Sequence, residues 1–381
     1  MKILLLFLTT LLLFSSCKKD QNEPIIPDPT PTYFSFDGSI GSHDNSTIIT
    51  ADQNLLICGT NLGNVCLLKI SKAGSLIWRK EFDNEVGIPS TAIVQSTDQS
   101  FFIGGYTFRN VFTSQIDALL IKTNTEGDTL WTKTYGGYAD DYVYYIMNTN
   151  DGNLLMCGTC FSHTINSDIY LVKTNLDGDT LWTKAYEVPG SENPFHILQV
   201  QNGDILITGS HEEQGSNKQL YFQKLDEHGN PLWNRIISDS VPQWGLSTIE
   251  LSNGDFITCG KVTHGEYNRI LVIKTDNEGN LLWEKEYGDT GLSMQGNSIK
   301  MNADSSYVIT GTSEAIHSGE TGIILLKIDV DGNELFLKTF GSGFVDSGQN
   351  VLKDENDDNI ITGNYNGNIF MTRTDNNGVF K

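Results

Sequence analysis

Short apolar-rich runs of about seven residues, separated by polar turns, recur along most of the chain. One stretch shows the frame. Ile169-Tyr170-Leu171-Val172-Lys173-Thr174 leads into the turn Asn175-Leu176-Asp177-Gly178-Asp179, and Thr180-Leu181-Trp182-Thr183-Lys184-Ala185-Tyr186 follows. Two strand-like runs about an Asp-Gly turn predict a β-hairpin. The frame returns around Gly74, Gly127, Gly229, Gly279 and Gly332, with a shortened copy at Gly378. Four residues after the glycine stand Trp78, Trp131, Trp182, Trp233 and Trp283, with Phe336 in the sixth copy. Five residues before it stand Lys69, Lys122, Lys173, Lys224, Lys274 and Lys327, with Arg373 in the seventh. The glycines are 53, 51, 51, 50, 53 and 46 residues apart. A fixed period of this size predicts a repeat architecture.

Each unit holds four runs. In the third they cover 142–148, 153–159, 168–174 and 180–186, and Asn150-Asp151-Gly152-Asn153 between the first two predicts a tight turn. A second glycine ends the second run: Gly59, Gly105, Gly158, Gly209, Gly260, Gly311 and Gly363. Such a glycine predicts a bulge or a close backbone approach, here of blade against blade. Four strands per unit and no helical periodicity predict an all-β fold, a seven-bladed β-propeller of four-stranded antiparallel blades. The seventh unit stops at Lys381 without a fourth run. Phe34-Ser35-Phe36-Asp37-Gly38-Ser39 aligns with Thr132-Lys133-Thr134-Tyr135-Gly136-Gly137, so the N-terminal strand is expected to close the last blade and leave no open edge.

The propeller is therefore expected over 33–381. Residues 1–17 have a different pattern: Lys2, then twelve apolar-rich residues from Ile3 to Phe14, then Ser15-Ser16-Cys17. That run is short for a membrane span and suits a signal peptide. Small residues before a cysteine resemble the lipobox of bacterial lipoproteins, with Phe14 where a leucine is usual. The resemblance implies cleavage before Cys17 and acylation of Cys17, hence a lipid anchor. Lys18-Lys19-Asp20-Gln21-Asn22-Glu23 is similar to the segment after the cysteine in Bacteroidota surface lipoproteins. This implies an outer-membrane lipoprotein, periplasmic or surface-exposed. Pro24, Pro27, Pro29 and Pro31 make 18–32 an extended tether, able to span up to roughly 45 Å.

Charge narrows the partners. With 47 Asp and Glu against 25 Lys and Arg, the formal charge is −22, which argues against nucleic acid. The Trp series is read as one packing block per blade. The Lys series is read as stems over apolar surface, with heads in water or on carboxylates. Cys58, Cys157 and Cys259 share one strand position with Thr208, Thr310 and Thr362, so they are read as small buried side chains. Cys157 and Cys160 are three apart on a strand and face opposite ways, which disfavours a redox pair. His163, His211, His264 and His317 follow the second glycine at unequal offsets of 5, 2, 4 and 6 residues, and no metal is expected. Asp329-Val330-Asp331-Gly332-Asn333-Glu334 and Asp354-Glu355-Asn356-Asp357-Asp358 lack calcium-loop spacing and are read as turns. No catalytic motif stands out, and ligand-binding residues stay unassigned.

Ile273-Lys274-Thr275-Asp276-Asn277-Glu278-Gly279-Asn280-Leu281-Leu282-Trp283-Glu284-Lys285-Glu286-Tyr287-Gly288 resembles the unit of a large class of bacterial propeller proteins. More distantly, its Gly and Trp spacing is similar to that of quinoprotein-like propellers, which include the lipoprotein of the outer-membrane β-barrel assembly machinery. Those enzymes that carry a quinone use adjacent cysteines, absent from this sequence, so no cofactor is expected. The connections at 106–115, 160–167, 211–218, 262–268 and 313–321 are long and variable, and they gather on one face with Tyr138, Tyr142, Tyr144, Tyr145 and Trp244 in or beside them. The expectation is a membrane-anchored, non-catalytic binding or scaffold module that shows this loop-rich face to a protein or glycan. The alternative is an extracytoplasmic carbohydrate-active enzyme, lyase or hydrolase, with its site at the central channel.

Overall fold

The computed structural model describes residues 33–40, 46–62, 64–82, 92–110, 113–161, 166–237, 240–343 and 345–381. Among these, twenty-eight strands form seven four-stranded antiparallel sheets. The sheets stand as the blades of a propeller. The innermost strands are Thr47–Ile49, Ala92–Gln95, Asp141–Asn148, Ser191–Gln199, Gln243–Glu250, Leu292–Met301 and Ser347–Lys353. Each packs beside the next, and the seventh returns to the first.

Closure is made by the N-terminal strand Phe34–Phe36, which pairs antiparallel with Asn368–Thr374. Its register differs by one residue from the alignment above. Phe34 faces Met371, as Lys133 faces Leu120, so Phe34 occupies the position of Lys133 and not of Thr132. The seam is also tied by side chains. Thr47 Oγ1 lies 2.9 Å from Thr362 Oγ1, and Asn350 donates to Ser46 Oγ at 2.7 Å. Asn364 accepts from the Ile40 amide at 2.8 Å and donates to its carbonyl at 3.0 Å.

The repeated residues bind blade to blade. Each series aromatic covers the turn glycine of the following blade: Trp131 covers Gly178, Trp182 covers Gly229 and Phe336 covers Gly378. A Cβ at Gly178 would lie 2.6 Å from the Trp131 ring, and its φ of +76° independently favours glycine. At the seam Phe34 covers Gly74. Tyr135, Tyr186 and Tyr287 donate hydroxyl hydrogen bonds to the carbonyls of Gly178, Gly229 and Gly332 on the next blade.

The series cations all reach an aspartate in the first hairpin turn of their own blade. Lys69 meets Asp52 at 2.6 Å, Lys122 meets Asp98 at 2.8 Å, Lys173 meets Asp151 at 2.7 Å and Arg373 meets Asp354 at 3.2 Å. Asp329 and Asp354 accept amide hydrogen bonds within their own turns, as expected of turn chemistry. In five members of the second glycine series, Gly158, Gly209, Gly260, Gly311 and Gly363, the close approach is to a carbonyl of the same blade's inner strand, whereas Gly59 meets the Ser39 carbonyl and Ile369 of the seventh blade at the seam. A Cβ on Gly158 would overlap the Tyr142 carbonyl of its own inner strand, beside a bulge at Val143/Tyr145. Cys58, Cys66, Cys157, Cys160 and Cys259 are buried, and Cys157 and Cys160 join different core clusters. Cys17 lies outside the described residues.

Several connections expected to be irregular are ladder. Pairing continues to Asn110 and Thr113, to His264 and Tyr267, and to Glu314 and Thr321. Hairpin extensions therefore rise around the loop-rich face.

Candidate functional site

Two cavities are candidates. One lies on the axis, about 540 Å³, lined from five blades by residues that include Val94, Tyr145, His196, Ile249 and Lys300. Equivalent positions on the seven inner strands hold Ile48, Val94, Met147, Leu198, Ile249, Lys300 and Leu352, so six of seven are apolar. His196 is buried against the Tyr145 ring at 5.0 Å. Burial, with a contribution from Lys300, pushes its imidazole down to about 3, so it is neutral at ordinary pH. Tyr145, Glu250 and Lys300 are the other ionisable residues of its lining.

The second cavity, about 700 Å³, opens on the loop-rich face between the third and fourth blades. Its walls are Asn166 and Pro189-Gly190-Ser191 on one side and Glu212-Glu213-Gln214-Gly215 on the other. The local fold explains what lies beneath it. Two residues before the inner-strand partner of the second glycine, the blades carry Asp141, Glu192, Gln243, Met294 and Asp346. The three carboxylates are all buried. Asp141 accepts the Gly137 amide at 2.7 Å, and Asp346 accepts the amides of Ser342, Gly343 and Asn366, so these two hold loops.

Glu192 is different. Strand register places it opposite His211, where the third and fifth blades have Cys160 and Val262. Glu192 Oε1 and His211 Nδ1 are 2.7 Å apart, and both side chains are sealed from solvent, at 0% and 1% exposure. Glu192 Oε2 and His211 Nε2 have no hydrogen-bond partner among the described residues. The neighbour of Nε2 is Glu213 Oε1 at 3.8 Å, on the exposed rim of the cavity. Gly190 forms the floor above the dyad. A Cβ there would sit 2.6 Å from His211 Cε1, and φ is +126°. The Tyr221 ring stands 6.0 Å from the imidazole.

Burial raises the Glu192 carboxyl to about 7, opposed by the hydrogen bond and charge of His211 and aided by Asp168. The dyad can then change its proton count near neutrality. With one proton, held between Oε1 and Nδ1, Nε2 is an acceptor. With two, Nε2 carries hydrogen and is a donor. A group that can take and return a proton is what acid–base catalysis requires.

Of the aromatics expected near this face, Tyr142 and Tyr144 stack at 6.0 Å, and Tyr106 meets Tyr142 edge-on at 4.9 Å. Tyr138 is fully exposed, Trp244 carries Lys261 over its ring at 4.6 Å, and Tyr145 belongs to the axial cavity. Of the described histidines among these four, His211 is the one brought to a buried carboxylate. His264 pairs with Glu286 at the surface, and His163 lies outside the described residues. Among the described residues no group of three or more His, Cys, Asp or Glu is placed to hold a metal ion. Glu192 was missed in the sequence. Its signal was an acid at one fixed offset in three blades, together with a histidine near enough to the second glycine to remain in the ladder.

Neither protein-family models nor curated proteins match this chain. Solved structures share its fold. A Kuenenia stuttgartiensis hydrazine synthase chain is similar at 11% identity and TM-score 0.61, over 89% of this chain and 97% of that one. A polysaccharide lyase, an ulvan lyase bound to a GlcA(1-4)Rha3S saccharide, is similar at 9% identity and TM-score 0.58, over 92% and 97%. A Penicillium chrysogenum alpha-L-arabinanase complexed with arabinobiose is similar at 10% identity and TM-score 0.50, over 74% and 92%. This is a seven-bladed β-propeller. At these identities the likeness concerns architecture alone. It still corrects the expectation of a non-catalytic chain, because two of these neighbours are enzymes acting on glycans, so a propeller fold gives no ground for ruling out catalysis.

Proposed function

We propose that this propeller is an extracytoplasmic carbohydrate-active enzyme that hydrolyses glycosidic bonds at the Glu192–His211 cavity. The observation that carries the reading is the sealed dyad whose unpartnered Nε2 faces the rim of an open cavity. The neutral imidazole of His196 in the axial cavity favours the loop-rich face over the channel as the place of reaction. In its two-proton state the dyad gives the Nε2 proton to the glycosidic oxygen as the bond to the anomeric carbon breaks. Water supplies hydroxide to that carbon, and its remaining proton returns to Nε2, with Glu213 as the second carboxylate. Access to Nε2 requires the Glu213 side chain, 64% exposed, to swing aside. Elimination is disfavoured here, because it acts on sugars whose own carboxylate would meet Glu212 and Glu213.

The test is incubation of the full-length protein with neutral and cationic polysaccharides, followed by separation of soluble products. Fragments with new reducing ends are expected. Fragments with unsaturated rings would replace hydrolysis by elimination, and no fragments from any polysaccharide would overturn the reading.

We also propose that the protein belongs with bacterial propeller lipoproteins and is held at the outer membrane through acylated Cys17. The support is Phe14-Ser15-Ser16-Cys17 with the proline-rich tether behind it. Cys17→Ser should leave the protein unprocessed or release it from membranes. A variant that is processed and still sediments with membranes in high salt would contradict the anchor.

A further inference from the structure

We infer that the cavity over the dyad selects a glycan bearing protonated amines, such as a glucosamine polymer, over uronic or sulfated chains. This deepens the hydrolase reading above and rests on it. The lining residues include two carboxylates, Glu212 and Glu213, and no lysine or arginine. Lys218 approaches Glu212 at 3.8 Å from outside the lining, whereas the Glu213 carboxylate lies 3.8 Å from the His211 ring. Beneath the floor lie Glu192 and Asp168, both buried. Asp168 lies close enough to raise the Glu192 carboxyl further. A ligand in this cavity therefore meets the Glu212 and Glu213 carboxylates at the rim, with Asp168 buried below.

Acidity alone would describe much of a chain with a charge of −22. The independent observation is His211, 1% exposed, whose Nε2 lacks a hydrogen-bond partner among the described residues and points to rim residue Glu213. Glu192 Oε2 beside it is equally unmatched. Buried polar atoms without partners are uncommon and call for a cause such as a catalytic role or a bound group, and here two of them fall on one pair beside an open cavity. Hydroxyls of a sugar can satisfy Nε2. An ammonium on the same or the next ring can satisfy the Glu213 carboxylate that swings away from it. Asn166, Ser191 and Gln214 complete a wall suited to neutral hydroxyls. A carboxylate or sulfate meets no lysine or arginine among the lining residues.

The test is titration calorimetry of the full-length protein with three probes: glucosamine hexamer, N-acetylglucosamine hexamer and galacturonic acid hexamer. The glucosamine hexamer should bind at least about tenfold more tightly than the acetylated one, and the galacturonic acid hexamer should not bind. The preference should shrink as salt rises. Glu213→Gln and Glu212→Gln, each checked by melting for intact fold, should reduce glucosamine binding about tenfold or more. Equal or tighter binding of the acetylated or anionic hexamer overturns the inference, as does glucosamine binding that neither variant alters. If neutral polysaccharides are cleaved while the glucosamine hexamer shows no advantage, the amine preference falls and the hydrolase reading stands. If nothing is bound and nothing is cleaved, both fall.

Discussion

Glu192 occupies a position that two other blades also fill with a carboxylate, yet it alone is given a histidine instead of backbone amides. The consequence is visible in its titration. Its carboxyl is raised from 4.5 to about 7, chiefly by burial, so the fold favours the protonated form. That contribution to stability is complete below about pH 4.5 and is lost as pH rises through about 7. Glu192→Gln keeps the shape and removes the ionisation. Melting temperature should therefore fall more between about pH 5 and about pH 8 in the natural protein than in the variant. Parallel curves for the two would contradict the raised carboxyl. The turn aspartates have the opposite sign. Asp304 is held down to about 2, first by the Ser306 hydroxyl and then, against burial, by the Ser306 amide and Lys327. Its contribution is present above its ordinary 3.8 and is lost as pH falls through about 2.

At the scale of the element, the blade is legible because its constraints repeat. The Trp series, the turn glycines and the first-hairpin aspartates answer one another in every blade, so each leaves a periodic trace. Trp131 on Gly178 and Lys173 on Asp151 are both recoverable from that period. The dyad is not, since it joins residues 192 and 211 across two strands of one blade only. Repetition averages such a pair away. The extended hairpins ending at Asn110 and Ala315 were hidden for another reason: polar residues pair in a ladder as readily as apolar ones where no core selects them. The closing strand belongs to this scale too. Phe34 covers Gly74, Tyr33 stacks on Tyr365 at 4.3 Å, and three pairings hold Phe34–Phe36 to its neighbour. Removing residues through 39 should lower melting by about 5–10 °C and favour association through the bared edge of Asn368–Thr374. Removing only 18–32 should do neither. Equal melting and monomeric behaviour for the two truncations would contradict closure by the N-terminal strand.

At the scale of the molecule, the ring is a frame whose axis is lined by a mixture of apolar and polar side chains and whose loop-rich rim gathers acids, a buried imidazole and tyrosines. The frame is common to proteins of unlike chemistry, so function has to be argued from the rim. The account depends on His211 moving a proton there. The most direct measurement is the rate of reducing-end release from a cleaved polysaccharide by the natural protein and by His211→Ala, with melting recorded for both. The account predicts a loss of about a hundredfold to ten-thousandfold in kcat with the fold retained. A folded His211→Ala protein that cleaves at the natural rate would contradict it.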